Sequence, residues 1–88
     1  MPVLSMFFGI IIRMYNESGE RHKIPHIHCV YSEYEATVDF YGNVLEGELP
    51  QSKMKLVAAW IELHREELYA NWELLNHGEK HFRINPLQ

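Results

Sequence analysis

Pro50 divides the chain into two segments in which the apolar residues recur with different periods. Before it, short runs of alternating apolar and polar residues are separated by turn formers, the pattern of half-buried β-strands. After it, apolar residues recur at steps of three and four from Gln51 to about Asn76, which predicts one amphipathic helix that Gly78 terminates. Proline suits the start of this helix, because the N–H that it lacks would have no partner there. Together the two segments predict an α+β fold.

The first segment predicts a four-stranded antiparallel meander. Residues 3–15 are rich in β-branched and aromatic side chains and are predicted to form one long strand. Three further strands are predicted at 26–31, 34–40 and 44–49, with turns at 32–33 and 41–43. Residues 1–88 are therefore expected to form a single domain, in which the meander packs on one long helix and a short extended tail follows.

A two-residue turn at Ser32 and Glu33 determines how the second and third strands pair. In this register His26 lies opposite Asp39, and His28 lies opposite Thr37. The first strand is predicted to place Phe8, Ile10, Ile12 and Met14 in the core, and Phe7, Gly9, Arg13 and Tyr15 beside the histidines. The polar face of the sheet, on the side away from the helix, is then expected to carry Arg13, His26, His28, Glu35, Thr37 and Asp39.

The His-x-His pair is a candidate metal site. His26 and His28 direct both imidazoles to one side of a strand, and Asp39 on the neighbouring strand could supply a third ligand to a divalent metal such as zinc. Polar sheet faces also carry histidines that serve only solubility. The metal assignment to His26, His28 and Asp39 is therefore a hypothesis.

The same face has the residue types for acid–base chemistry without a metal. His26 and His28 could act as acid and base, Arg13 could hold an anion, and Glu35 or Asp39 could orient an imidazole, as in a small hydrolase or an RNase-like enzyme. Whether the protein is an enzyme stays open. Nucleic acid is expected only as a substrate, because the net charge of −4 and the lack of a basic stripe disfavour a DNA-binding regulator.

The predicted helix has more apolar surface than one small sheet can cover. One stripe holds Met54, Val57, Ile61, His64, Leu68, Trp72 and Leu75, and a second holds Leu56, Trp60, Leu63 and Leu74. The helix would be roughly 39 Å long, whereas a six-residue strand spans about 20 Å. We therefore predict a partner interface at Trp60, Leu63 and Trp72, for a second copy or a small cognate protein. His64 is expected to bond to backbone or a carboxylate within the core.

The chain is predicted to be cytoplasmic, with no membrane association. Cys29 is its only cysteine, so no intrachain disulfide can form, and a reducing compartment fits best. The thiol is expected to be a buried small hydrophobe. The apolar N-terminal run lacks the features of a signal peptide, and Arg13 interrupts it well short of the ~20 residues that cross a bilayer.

The sequence resembles the DUF4160 family of small bacterial proteins in five segments that occur in the same order. These are FFGIIIRMY (7–15), PHIHCVYSEYEATV (25–38), VLEGELP (44–50), AWIELHREELYANWE (59–73) and INPL (84–87). The family's Pro-His-x-His motif falls on Pro25, His26 and His28. The loop at 16–24 is longer and more basic than the family's usual connection. The resemblance implies no assigned activity, but members are often encoded beside a DUF2442-type protein. It therefore implies a protein that acts in a complex, in a toxin–antitoxin-like module.

Overall fold

The fold is α+β: a five-stranded antiparallel sheet with one helix packed on one face, in a computed structural model that describes residues 2–15 and 24–88. The strands lie in the sheet in chain order, as a meander. They are β1 (Val3–Phe7), β2 (Ile10–Arg13), β3 (His26–Tyr31), β4 (Tyr34–Asp39) and β5 (Val44–Glu48), and the helix is α1 (Gln51–Asn76). The predicted fold class is confirmed, but the predicted number of four strands is wrong.

The extra strand arises because residues 3–15 form a hairpin. Phe8 and Gly9 have φ values of 48° and 80°, so both are left-handed, as the type I′ turn of a tight hairpin requires. Phe7 then pairs with Ile10, and Met6 pairs with Ile11. The segment gave little sign of a turn, since it is mostly apolar, contains no proline and has Gly9 as its single glycine.

The hairpin also reverses two predicted orientations. Phe7 is 6% exposed and belongs to the core, whereas Phe8, at the turn, is 56% exposed. The sequence predicted the opposite for both, because it continued the alternation through the turn. The predicted core positions of Ile10, Ile12 and Met14 are confirmed, since all three are fully buried.

The predicted pairing of β3 with β4 is confirmed at every position. Ser32 adopts a φ of 53° in the turn, and the ladder runs from Tyr31 opposite Tyr34 to His26 opposite Asp39. Ile27, Cys29, Ala36 and Val38 consequently face the core that α1 covers.

The register of β5 shifts by one residue at a bulge: Thr37 pairs with Glu46 and Val38 with Val44, so Leu45 is the extra residue, two positions before Gly47. Gly47 has a φ of 76°, and a Cβ atom at this position would overlap the carbonyl oxygen of Glu35. Only glycine fits without displacing the backbone. The pairing places Glu46 opposite Thr37 and Glu48 opposite Glu35.

The helix bends at His64, whose φ and ψ of −123° and 23° are not helical. The side chains that α1 buries are Val57, Trp60, Ile61, Leu68, Asn71 and Leu75. The helix ends as predicted, with Gly78 at a φ of 72°. Because of the bend, α1 is not the straight rod that the length comparison assumed.

Among the described residues, no helix is both long enough and apolar enough to cross a membrane.

The tail after α1 packs back against the domain. The Ile84 N–H donates to the Leu4 carbonyl (2.8 Å), so the tail lies along the free edge of β1. The buried Asn71 side chain donates to the Phe82 carbonyl (3.1 Å) and accepts from the Phe82 N–H (2.8 Å). The tail therefore covers part of the apolar surface that the sequence assigned to a partner.

Candidate functional site

The face of the sheet opposite α1, which we call the outer face, carries four of the six residues that the sequence selected for chemistry. Two rows of directly paired side chains cross all five strands on this face. The histidine row consists of Val3, Arg13, His28, Thr37 and Glu46. The apolar–acidic row consists of Met6, Ile11, Val30, Glu35 and Glu48. The prediction that Arg13, His28, Glu35 and Thr37 share one sheet face is consistent with this pairing.

A groove of about 490 Å³ lies on the outer face, around His28. Its lining comes from Tyr15, from His28 on β3, from residues 35–37 on β4 and from Glu46 and Gly47 on β5. The Tyr15 and His28 rings lie 4.5 Å apart, and the Thr37 hydroxyl lies 3.5 Å from His28 Nδ1. Glu35 and Glu46 contribute carboxylates to the same groove. The groove therefore combines two aromatic rings with two acidic groups.

His26 occupies a different environment from His28, although their rings lie 5.1 Å apart. His26 is 1% exposed, and its ring lies 5.3 Å from that of Trp72 on α1. Its Nδ1 lies 2.6 Å from the Ile24 carbonyl oxygen, which can only accept, so Nδ1 carries a proton and donates. The prediction that both histidines lie away from the helix is wrong for His26, because the C-terminal half of α1 reaches it.

Asp39 holds the turn between β4 and β5. Its carboxylate accepts from the Tyr41 N–H (2.8 Å), the Asn43 N–H (2.9 Å) and Asn43 Nδ2 (3.1 Å). Desolvation alone would raise the pKa of this carboxyl, but the hydrogen bonds from Asn43 and Tyr41 together outweigh it and lower the pKa. A role for Asp39 as metal ligand or orienting group would compete with these bonds.

The catalytic and metal assignments stay predictions. Arg13 is paired with His28 across β2 and β3, and Glu35 lines the groove beside His28. In residues 2–15 and 24–88, no three His, Cys, Asp or Glu side chains are arranged to hold a metal ion. Cys29 lies in the core, where burial raises the pKa of its thiol to about 12, and it is therefore a poor nucleophile.

The three residues predicted to form the partner interface occupy different environments. Trp60 is fully buried, and its Nε1 donates to the Asn85 carbonyl (2.8 Å), so the tail encloses it. Trp72 is partly buried and packs against His26 and Phe40. Leu63 is 68% exposed. Of this set, Trp60 is a core residue and only Leu63 is a largely exposed apolar side chain.

His64 has the predicted kind of partner at the bend of α1. Its Nδ1 lies 2.6 Å from the Glu67 carboxylate, and its ring lies 5.5 Å from that of Trp60. The side chain is 17% exposed, so it lies at the border of the core. This arrangement explains its place in the apolar stripe without a role in a site.

Sequence reasoning missed the apolar part of the outer face. Met6 and Phe8 are 55% and 56% exposed, and Ile11 and Val30 are partly exposed beside Met6 in the apolar–acidic row. Residues 6–11 also line a shallow depression of about 370 Å³. Recognising Phe8-Gly9 as a hairpin turn would have placed Met6 opposite Ile11 on this face.

A family model, Domain of unknown function (DUF4160), matches residues 9–73. The chain belongs to the DUF4160 family. The match confirms the resemblance found in the sequence. No functionally described protein and no solved structure shows significant similarity to the chain.

The DUF4160 match extends from Gly9 to Glu73 and therefore contains β2 to β5 and most of α1. The groove around His28 lies within the matched range. Met6 and Phe8 lie just before it. Because the family's description carries no activity, the function of this DUF4160 protein has to be argued from the outer face itself.

Proposed function

We propose that this DUF4160 protein is a binding component of a protein complex and that the outer face of the sheet is its contact surface. The observation that carries the proposal is the apolar part of the apolar–acidic row. Met6, Ile11 and Val30 are direct neighbours on three adjacent strands, on the face opposite α1. Met6 is more than half exposed.

An antiparallel sheet that packs a helix on one face usually has polar side chains on the other. Three adjacent apolar side chains, with Phe8 at the neighbouring turn, depart from this pattern. Contiguous exposed apolar groups favour association, because a partner that covers them removes apolar surface from water. The apolar surface of α1 supports a partner interface less strongly than the sequence suggested, since Trp60 lies in the core.

The finer predictions about the complex are part of this proposal. The partner is a small cognate protein or a second copy, and the family resemblance favours a toxin–antitoxin-like pair in the cytoplasm. The apolar row supports a partner of either kind, because covering it requires only a complementary apolar surface.

The test compares two substitutions of exposed apolar residues. Met6→Lys places a charge in the outer face, whereas Leu63→Lys places the same charge on the exposed surface of α1. Tagged protein would be purified from cells of the source organism and its mass measured by size exclusion with light scattering. We expect the wild type and Leu63→Lys to elute in a complex and Met6→Lys to elute as a monomer. A monomeric wild type, or a complex that survives Met6→Lys, would refute the proposal.

The groove around His28 favours a second candidate function, hydrolysis of RNA or a related ester. His28 and Thr37 share the groove with two carboxylates, and Arg13 lies in the same row. Here His28 would act as acid or base, Glu35 would orient it and Arg13 would hold an anion. Purified protein, with and without zinc, would be assayed on RNA and ester substrates. Loss of cleavage in His28→Gln would support this candidate, and an inactive wild type would end it.

A further inference from the structure

The partner of the outer face can be described chemically, in an inference that rests on the proposed function. We infer that the docking segment is basic as well as apolar, with arginine or lysine side chains next to apolar ones. The apolar side chains would cover Met6, Ile11 and Val30. The basic ones would lie against the carboxylates at the β4–β5 end of the same rows.

The pairing of three glutamates favours a basic partner. Glu35 and Glu48 are direct partners on β4 and β5, and Glu46 follows in the histidine row, opposite Thr37. All three glutamates are exposed. Like charges directly opposite each other destabilise a sheet, so a Glu–Glu pair is an unfavourable choice for a surface that meets only water. A cation between the two carboxylates would convert the repulsion into attraction.

The composition of the groove around His28 also favours a basic partner. The Tyr15 and His28 rings, 4.5 Å apart, and the Glu35 and Glu46 carboxylates line one concavity of about 490 Å³. An aromatic face attracts a guanidinium or ammonium group, and a carboxylate binds it through charge-assisted hydrogen bonds. The groove therefore offers both kinds of contact to the side chain of an arginine or lysine.

The layout and the charge of the outer face favour a protein segment over a second copy or nucleic acid. The apolar and acidic halves of the apolar–acidic row adjoin where Val30 pairs with Glu35, so one extended segment can contact both halves. A second copy of the chain would bring the same glutamates and another net charge of −4, which repel across a symmetric contact. The negative charge disfavours nucleic acid for the same reason. These charges favour a basic protein segment.

The experiment uses three peptides of equal length and identical apolar residues, with arginine, serine or glutamate at the alternate positions. Binding to the full chain would be measured by fluorescence anisotropy, and the contact surface would be mapped by NMR amide shifts. We expect the arginine peptide to bind at least about tenfold more tightly than the serine peptide, with shifts at Met6, Ile11, Glu35 and Glu48. Added salt should weaken its binding.

Two double variants separate the local effect from net charge. Glu35→Gln with Glu48→Gln should weaken binding of the arginine peptide about tenfold. Glu66→Gln with Glu79→Gln removes the same charge from exposed positions on α1 and just after it, and should leave binding nearly unchanged. Equal loss in the two variants would show attraction to net charge alone and would overturn the inference.

The remaining outcomes distinguish this inference from the proposed function. If the serine peptide binds the outer face as tightly as the arginine peptide, the face docks an apolar partner and the basic character is refuted. Binding of none of the peptides also refutes the inference. The proposed function would then depend on the Met6→Lys comparison, in which no glutamate is changed.

Discussion

The ring of His26 packs 5.3 Å from the ring of Trp72, so the first histidine of the Pro-His-x-His motif joins β3 to α1. The second, His28, lies in the groove of the outer face. One short motif therefore combines a structural residue with a surface residue. This division has direct consequences for mutagenesis.

The two histidines should differ in their effect on stability. His26→Ala should lower the free energy of unfolding by about 2–3 kcal/mol, because it leaves a cavity beside Trp72 and removes the donor to the Ile24 carbonyl. His28→Ala should cost less than about 1 kcal/mol, because the ring is partly exposed. Urea denaturation of both variants measures the difference. Equal losses would contradict the assignment of separate roles.

Gly47 and Gly78 form a matched pair for testing the close approach of β5 to β4 at Gly47. Both have positive φ values, of 76° and 72°, but an alanine Cβ at Gly78 would have no atom within 4 Å. Gly78→Ala should cost about 1 kcal/mol for the left-handed conformation alone. Gly47→Ala should cost clearly more and should shift the amide resonances of β4 and β5, since its Cβ meets the Glu35 carbonyl. A Gly47→Ala variant no less stable than Gly78→Ala would contradict the close approach of Gly47 to the Glu35 carbonyl.

Stability should depend on the ionisation of Asp39. Hydrogen bonds lower the pKa of its carboxyl below the ordinary value of 3.8, so the folded chain binds this proton less readily than the unfolded chain. The ionised Asp39 side chain stabilises the fold at pH values above its ordinary pKa. This stabilisation is lost as the pH falls through the lower pKa that the carboxyl has in the folded chain. The stability advantage of wild type over Asp39→Asn should therefore shrink as the pH falls from about 5 to about 3. An advantage that does not change with pH would exclude this account.

Asn71 should hold the tail in place. Asn71→Ala removes both hydrogen bonds to the Phe82 backbone and should lower the free energy of unfolding by about 2 kcal/mol. Amide hydrogen exchange should accelerate strongly at Phe82 and Ile84. In β3 it should accelerate only as much as the lower free energy of unfolding requires. Unchanged exchange at Phe82 would show that the tail is held by other contacts. Asn76→Ala removes a bond to the Trp72 carbonyl within α1 and serves as the control.

Removing one charge from the Glu35–Glu48 pair should stabilise the isolated chain. Glu48→Gln relieves repulsion between direct neighbours and should raise the free energy of unfolding by a few tenths to about 1 kcal/mol at low salt. The gain should diminish as salt screens the two charges. Thermal denaturation at two salt concentrations measures it. A stability loss, or a gain that salt does not affect, would indicate that the pair does not repel.

The sequence predicted the parts of the fold that depend on short-range pattern. The strict alternation of Tyr34 to Phe40 and the turn at Ser32 and Glu33 determined the β3–β4 register. The position of Pro50 predicted the start of α1 at Gln51. The type I′ turn at Phe8 and Gly9 was missed, because an aromatic residue at positive φ is an exception that no periodicity reveals.

The site was harder to predict, because it depends on how distant segments meet. Residues on neighbouring strands were placed on the same face correctly, as the pairing of Arg13 with His28 shows. The burial of His26 depends on Trp72, far along the chain, and the burial of Trp60 depends on the tail near Asn85. Neither contact has a local signal. The bend at His64 likewise lacks the proline or glycine that usually marks one.

The most direct test of the outer face as a contact surface is site-specific photo-crosslinking in cells of the source organism. A photoreactive amino acid would replace Met6 in one variant and Leu63 in another, since both side chains are more than half exposed. We predict one discrete protein adduct from position 6, absent without irradiation and absent from position 63. An adduct from position 63 alone would move the contact surface to α1. No adduct from position 6 would contradict the proposed function.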